Sequence, residues 1–174
     1  ARGTELTEEE VLATRDTQLL TAKPMLMVVN GAEDEVSKRE PKNNEVIISA
    51  KIESELSELP EAEAKEMLKE LGMHQTGLDK LIVASYKLLN LVTFFTAGPM
   101  ESKAWTVTTG AKAPQAAGVI HTDFEKGFIR AEVISYQDFI DCRGESGARE
   151  RGKLRTEGKM YEIQDGDVCH FLFN

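Results

Sequence analysis

Lys112-Ala-Pro-Gln-Ala-Ala-Gly-Val-Ile-His121-Thr-Asp-Phe-Glu-Lys-Gly-Phe-Ile-Arg-Ala-Glu132-Val-Ile134 is the stretch on which the fold turns. Its second half, from Phe128 to Ile134, alternates apolar and polar residues as a half-buried strand does. Its first half sets Pro114, Gly118 and Gly127 around a short Ala-rich run, which reads as a sharply specified turn. A glycine so placed serves a positive φ or a close backbone approach. The pattern predicts a small β-rich domain with an embedded helix.

Working outward, Leu91–Ala97 and Glu101–Thr109 read as two strands joined at Gly98-Pro99. Downstream come a helix near Tyr136–Cys142 and a Gly-rich polar passage through Gly158. Two further strands, Lys159–Ile163 and Val168–Phe173, are split by the turn Asp165-Gly166-Asp167. Strand pair, helix and strands within roughly one small domain's length match a β-grasp, ubiquitin-like plan.

Upstream the texture differs. Pro24-Met-Leu-Met-Val-Val-Asn30 and Glu45-Val-Ile-Ile-Ser49 are continuous apolar runs, the signature of strands buried on both faces of a parallel sheet. A polar connection, residues 31–44, separates them. Such an α/β layer carries ligand-binding turns at the strand C-termini. Glu5–Leu20 reads as a polar helix with a Thr7/Glu10 capping box. Glu53–Leu71 reads as one helix containing Pro60 and ended by Gly72. Thr76–Asn90 reads as another, whose stripe Leu78, Leu81, Ile82, Ser85, Leu88 and Leu89 is expected in the core.

The 174 residues suffice for one or two domains, and the 41% hydrophobic and 29% charged content is that of a soluble globular chain. The longest apolar run is too short to cross a bilayer, and no secretory leader is read at Ala1. Cys142 and Cys169 stand apart with no ligand spacing, so buried thiols, a reducing cytoplasm and no metal site are expected. A net charge of −9 argues against wholesale nucleic-acid coating. Locally, Arg143, Arg149, Arg151, Lys153, Arg155 and Lys159 outnumber Glu145, Glu150 and Glu157. That run is either a phosphate-facing patch or a self-paired solvated surface.

Four pieces line up in order: Leu20-Thr-Ala-Lys-Pro24 leading to Asn30-Gly-Ala-Glu33; Ile48-Ser-Ala-Lys-Ile-Glu53; Phe94-Phe-Thr-Ala-Gly-Pro99 with Ala104-Trp-Thr-Val107; and Lys112–Glu132, followed by Gln164-Asp-Gly-Asp167 and Phe171-Leu-Phe-Asn174. Together they resemble the C-terminal part of a YchF-type Obg-like ATPase of the bacterial branch, over nearly the whole chain. The resemblance implies α/β plus α+β: the C-terminal third of a P-loop NTPase sheet followed by a β-grasp TGS domain. Residues 1–19 would close a helical insertion, 20–85 end the nucleotide-binding domain, and 86–174 form the TGS domain.

The base-site chemistry follows from the residues. A G-domain Asn-Lys-x-Asp motif uses its Asp carboxylate to accept hydrogens from guanine N1–H and the exocyclic amine, whereas adenine offers a bare N1 lone pair there. Here the fourth position is Glu33, one methylene longer, and Gly31 replaces the Lys. By resemblance, Asn30, Gly31 and Glu33 would meet the base, with Ser49, Ala50 and Lys51 as the second wall. Without the resemblance, Asn30 and Glu33 are a strand-to-loop turn.

No P-loop is present in these residues. Gly147-Ala-Arg-Glu-Arg-Gly152-Lys153-Leu154 mimics its spacing, but no apolar strand precedes it and no hydroxyl follows Lys153. The resemblance places the phosphate grip and the Mg²⁺ ligands upstream. The chain is therefore expected to be a fragment without ATP hydrolysis of its own, while the parent protein uses ATP and Mg²⁺. No catalytic residue is assigned. Ribosome or ribosomal RNA is the expected partner, through Lys112, Lys126, Arg130, Arg149, Arg151, Lys153 and Arg155. The alternative is a stand-alone TGS-type binding module for RNA, ribosome or a regulatory ligand. Trp105, Phe94 and Phe95 could stack on bases, but their strand positions favour the core. His121 is read as orienting a turn. The strands at 24–30 and 45–49 need neighbours, so residues 1–50 are expected to dock irregularly, to be disordered, or to self-associate.

Overall fold

The computed structural model describes residues 4, 6–36, 39–98 and 101–174. The expected helix start at Glu5, Pro99 of the strand junction and positions 37–38 of the polar connection lie outside the described residues. The chain divides into two compact units, residues 1–89 and 90–174.

The first unit opens with α1 (Glu8–Arg15), shorter than expected but capped as read: Thr7 and Glu10 form the capping box. A single 3-10 turn (Leu20–Ala22) leads to β1 (Met27–Asn30), α2 (Glu33–Val36) and β2 (Glu45–Ile48). β1 and β2 pair in parallel, Asn30 opposite Ile48, so these two strands dock regularly rather than irregularly. On β2 the consecutive side chains Val46 and Ile47 are both buried, as a two-sided strand requires. β1 departs from that reading. Met27 is 55% and Val28 47% exposed, and among the described residues β1 has a neighbour on one edge only.

The expected single helix from Glu53 to Leu71 is two, α3 (Ala50–Glu58) and α4 (Glu61–Glu70). Pro60 is the N-cap of α4; its ring and missing N–H prevent α3 from running through. A Schellman turn ends α4. Gly72, at φ +69°, donates to the Lys69 carbonyl and Met73 to the Leu68 carbonyl. Then α5 (Gly77–Leu88) starts in a Thr76/Asp79 capping box. The Glu53 carboxylate accepts from Gly77 and Leu78 N–H at 2.6 and 3.2 Å, fixing α5 to α3. The core comprises Val36, Ile47, Ile52, Leu56 and Met73, padded by Val29, Met67, Leu68 and Leu71. The α5 stripe does not join it. Leu78 is 58%, Ile82 47% and Leu89 54% exposed, and Gly77 alone of this helix is buried. Periodicity located the apolar face correctly but carried no information on what covers it.

The second unit contains β3 (Leu91–Ala97), β4 (Ser102–Thr108), α6 (Ala113–Ile120), α7 (Thr122–Lys126), β5 (Phe128–Ser135), α8 (Tyr136–Asp141), α9 (Glu145–Glu150), β6 (Arg155–Glu157) and β7 (Asp167–Phe173). The sheet order is β4-β3-β7-β5-β6, with β3 and β7 parallel at the centre and the other pairs antiparallel. This is the β-grasp arrangement. Phe94, Val107, Ala131, Val133, Cys169 and Phe171 of the sheet bury against Ala113, Ala116 and Ala117 of α6.

The organising stretch corrects one expectation. Ala113–Ile120 is not a turn but α6, with Lys112 as its N-cap, Pro114 in its first turn and Gln115 accepting from Lys112 N–H at 2.8 Å. Alanines, the best helix formers, let this helix lie close on the sheet. Gly118 and Gly127 meet the close-approach reading. A Cβ on Gly118 would stand 3.1 Å from Glu125 side-chain carbons, and one on Gly127 would overlap the Asn174 carbonyl. Further corrections fall in the last third. Lys159–Ile163 is not a strand and contributes one isolated bridge, Glu162 to Lys112. The polar passage through Gly158 instead holds α9 and β6, too short to leave a periodicity. Cys142 and Cys169 are buried free thiols.

Candidate functional site

The parallel register of β1 and β2 brings their C-terminal ends side by side, where open α/β sheets place ligands. Gly31 N–H donates to the Ile48 carbonyl at 2.9 Å, holding the chain leaving β1 against the end of β2. Ser49 then caps α3, its hydroxyl accepting from Ile52 N–H at 3.4 Å; the residue is 4% exposed. Ala50 N–H donates to Asn30 Oδ1 at 3.0 Å. That bond fixes the amide of Asn30, leaving Nδ2 as a donor for a ligand. A Cβ at Gly31 would stand 3.3 Å from Glu35 Oε2 and 3.4 Å from Ile47 Cγ2, so the backbone itself is the wall there.

Across the opening, Lys51 Nζ lies 2.7 Å from Glu33 Oε1 and 3.8 Å from Glu55 Oε1. The hydrogen bond to Glu33, then the two carboxylate charges, hold the Lys51 ammonium above its usual pKa. These turns surround a cavity of about 400 Å³ lined by Asn30, Gly31, Ala32, Glu33, Asp34, Ser49 and Lys51. That volume is within the range of small-ligand pockets. All six residues of the sequence-derived site thus come together, five in the lining and Ala50 through its amide. Ala32 and Asp34 were not read from sequence as site residues; their places on either side of Glu33 are the signal that could have found them.

The basic residues fare differently. Arg149 bonds both Glu132 and Glu145, at 2.9 and 3.0 Å. Lys153 pairs with Asp138 at 3.1 Å, and Arg155 with Asp167 at 3.5 Å. Arg151 donates to the Asp141 carbonyl, and Lys112 Nζ rests on Met160 Sδ. Lys126 and Arg130 are exposed. Glu132, Glu145 and His170 bring ligand atoms within 4.8 Å of one another, but Arg149 already supplies the positive charge between the two carboxylates. His121 accepts from Asp123 N–H through Nδ1 at 3.2 Å, the turn-orienting contact expected of it. Phe94 is core, and Trp105 donates to Thr96 Oγ1 at 3.0 Å. The P-loop-like spacing at Gly147–Lys153 occupies α9 and its closing turn.

Residues 91–174 match the family described as YchF-GTPase_C, "Protein of unknown function". The whole chain aligns at 49% identity with a Bacillus subtilis protein named ribosome-binding ATPase YchF, covering 100% of this chain and 51% of the relative. A protein of the same name from Escherichia coli O157:H7 is 48% identical over 99% of this chain and 51% of its own length. The solved Schizosaccharomyces pombe YchF GTPase superposes with a TM-score of 0.81 at 37% identity, over 98% of this chain and 49% of that one. A GTP-binding protein from Pyrococcus horikoshii OT3, at TM-score 0.61 and 20% identity, shares the fold; the match covers 97% of this chain and 51% of that one. The chain aligns with the C-terminal half of YchF proteins. It spans about half the length of the relatives it matches.

Proposed function

We propose that this chain supplies the base-recognition wall and the TGS β-grasp domain of a ribosome-associated, ATP-preferring P-loop NTPase. The observation that carries the reading is the meeting of Asn30–Glu33 with Ser49–Lys51 around one cavity, tied by the Asn30–Ala50 bond. Asn30 Nδ2 donates to a ring nitrogen of adenine, and Gly31 lets the base approach the backbone. Residues 20–85 act as the end of the nucleotide-binding domain, 86–174 as the TGS domain, and 1–19 as the end of a helical insertion.

The residues do not fit Mg²⁺. The Ser49 hydroxyl accepts from Ile52, Glu33 is paired with Lys51, and a hard cation wants six oxygens in octahedral array. No metal step is assigned to them. The relatives' names support a ribosomal partner, with exposed Lys126 and Arg130 as contacts. Reversing both charges should then weaken co-sedimentation with ribosomes, and unchanged binding would remove them from the interface. No helix among the described residues is long and apolar enough to cross a membrane; the ribosomal partner places the protein in the cytoplasm in this reading. The open edge of β1 supports self-association, which light scattering reads as a concentration-dependent dimer; a strict monomer would refute it. The base-site test is amide mapping. ATP should shift Gly31 and Ala50 resonances, and shifts confined to residues 90–174 would favour the binding-module alternative.

A further inference from the structure

We propose that Lys51 sets the base preference of this pocket by holding the Glu33 carboxylate off the base edge. The inference rests on the base-pocket reading above and adds a specificity-determining residue to it. A carboxylate at the pocket mouth favours guanine, whose N1–H and exocyclic amine are donors, and disfavours adenine, whose N1 lone pair it would face. Glu33 is placed to act in that way, and its acid group is nevertheless directed elsewhere. It lies 2.7 Å from a Lys51 ammonium contributed by the opposite wall, 18 residues along the chain.

Both ends of this contact are fixed by backbone. Glu33 is the first residue of α2, and Lys51 is the second residue of α3 behind the buried Ser49 cap. Glu55, one helical turn on from Lys51, stands 3.8 Å from the same ammonium and keeps it on this side of the opening. The lysine stem then forms the wall while its head neutralises the acid. Removing the ammonium alone releases Glu33, with a reach one methylene longer than that of an aspartate, toward the base.

The pair is exposed, at 70% for the Lys51 side chain and 44% for Glu33, so its strength is that of a surface ion pair. The expected change in preference is therefore about two- to five-fold, not orders of magnitude. The test titrates the full chain with AMP and with GMP, following amide resonances of Gly31 and Ala50, for wild type, Lys51→Met and Lys51→Met/Glu33→Gln. Methionine keeps the stem and removes the charge. The expected result is that Lys51→Met lowers the AMP-over-GMP preference about two- to five-fold, chiefly through tighter GMP binding, and that Glu33→Gln in that background abolishes the gain. An equal loss for both nucleotides would make Lys51 a wall only and overturn the proposal, as would an unchanged ratio. Failure of either nucleotide to move Gly31 or Ala50 in wild type would overturn the base-pocket reading itself, and the proposal with it.

Discussion

Gly147→Ala should cost the β-grasp unit about 3 kcal/mol or more, at the upper end of what overpacking does. Gly147 is the third residue of α9, and a Cβ there would overlap the Cys142 carbonyl oxygen and lie 3.1 Å from the carbonyl carbon. Both atoms are backbone, so no side-chain rotation relieves the clash. Relief requires moving α9, which seats fully buried Ala148 against Ile134 and Cys142 and carries the Arg149 bonded to Glu132 of β5. Gly158→Ala is the control. A Cβ there meets nothing within 4 Å, so its effect should stay within about 0.5 kcal/mol. Urea unfolding followed by Trp105, the chain's one tryptophan, reads this unit directly. A Gly147→Ala midpoint equal to wild type would contradict the packing described.

The second large effect is at Asp167. Its side chain is nearly buried, and Oδ2 accepts from the Tyr161 hydroxyl at 2.7 Å and from Gln164 N–H at 2.9 Å, with Arg155 3.5 Å from Oδ1. Asp167→Ala leaves a hydroxyl and a backbone N–H without their acceptor and should cost about 2–4 kcal/mol by urea unfolding. Asp167→Asn retains one acceptor oxygen and should recover part of the loss. If Asp167→Ala unfolds like wild type, the network is incidental.

The same network gives a pH signature. Burial, then the hydrogen bond and charge of Asp167, push the Tyr161 phenol above its ordinary value near 10. The folded state therefore holds this proton more tightly than the unfolded chain does. Its contribution is complete below about pH 10 and is lost as pH rises above it. Stability should fall in that alkaline range in wild type, and less steeply in Tyr161→Phe.

What was legible in the sequence follows from where each signal resides. In the β-grasp unit β5 announces itself by alternation, β3, β4 and β7 by apolar-rich runs between turn residues, and the pocket by two short motifs at strand ends, because one register bond and one cap suffice to place it. The helix at Ala113–Ile120 was hidden because Pro and Gly are read as turn formers, although Pro114 suits a first turn and Gly118 serves contact with Glu125. Asp165-Gly166-Asp167 was legible as a turn but not as a junction. Asp165 accepts from Thr93 N–H, Gly166 donates to the Thr93 carbonyl and accepts from Tyr136 N–H, and Asp167 accepts from Tyr161 and Gln164. Such convergence is long-range and leaves no local pattern. The same holds for the α5 stripe, whose exposure depends on what lies opposite it. The Glu33–Lys51 pair joins two motifs that look independent on the page of sequence.

The measurement that tests the account most directly is a titration of this chain with ATP, comparing wild type with Asn30→Ala. Asn30 anchors Ala50 through Oδ1 and offers Nδ2 to the base, so its loss removes both a ligand contact and the tie between the two walls. The expected result is ATP binding in wild type that weakens roughly ten-fold in Asn30→Ala, in keeping with a bond made inside a pocket plus a loosened wall. Equal ATP affinity in the two proteins would contradict the assignment of this cavity to the nucleotide base.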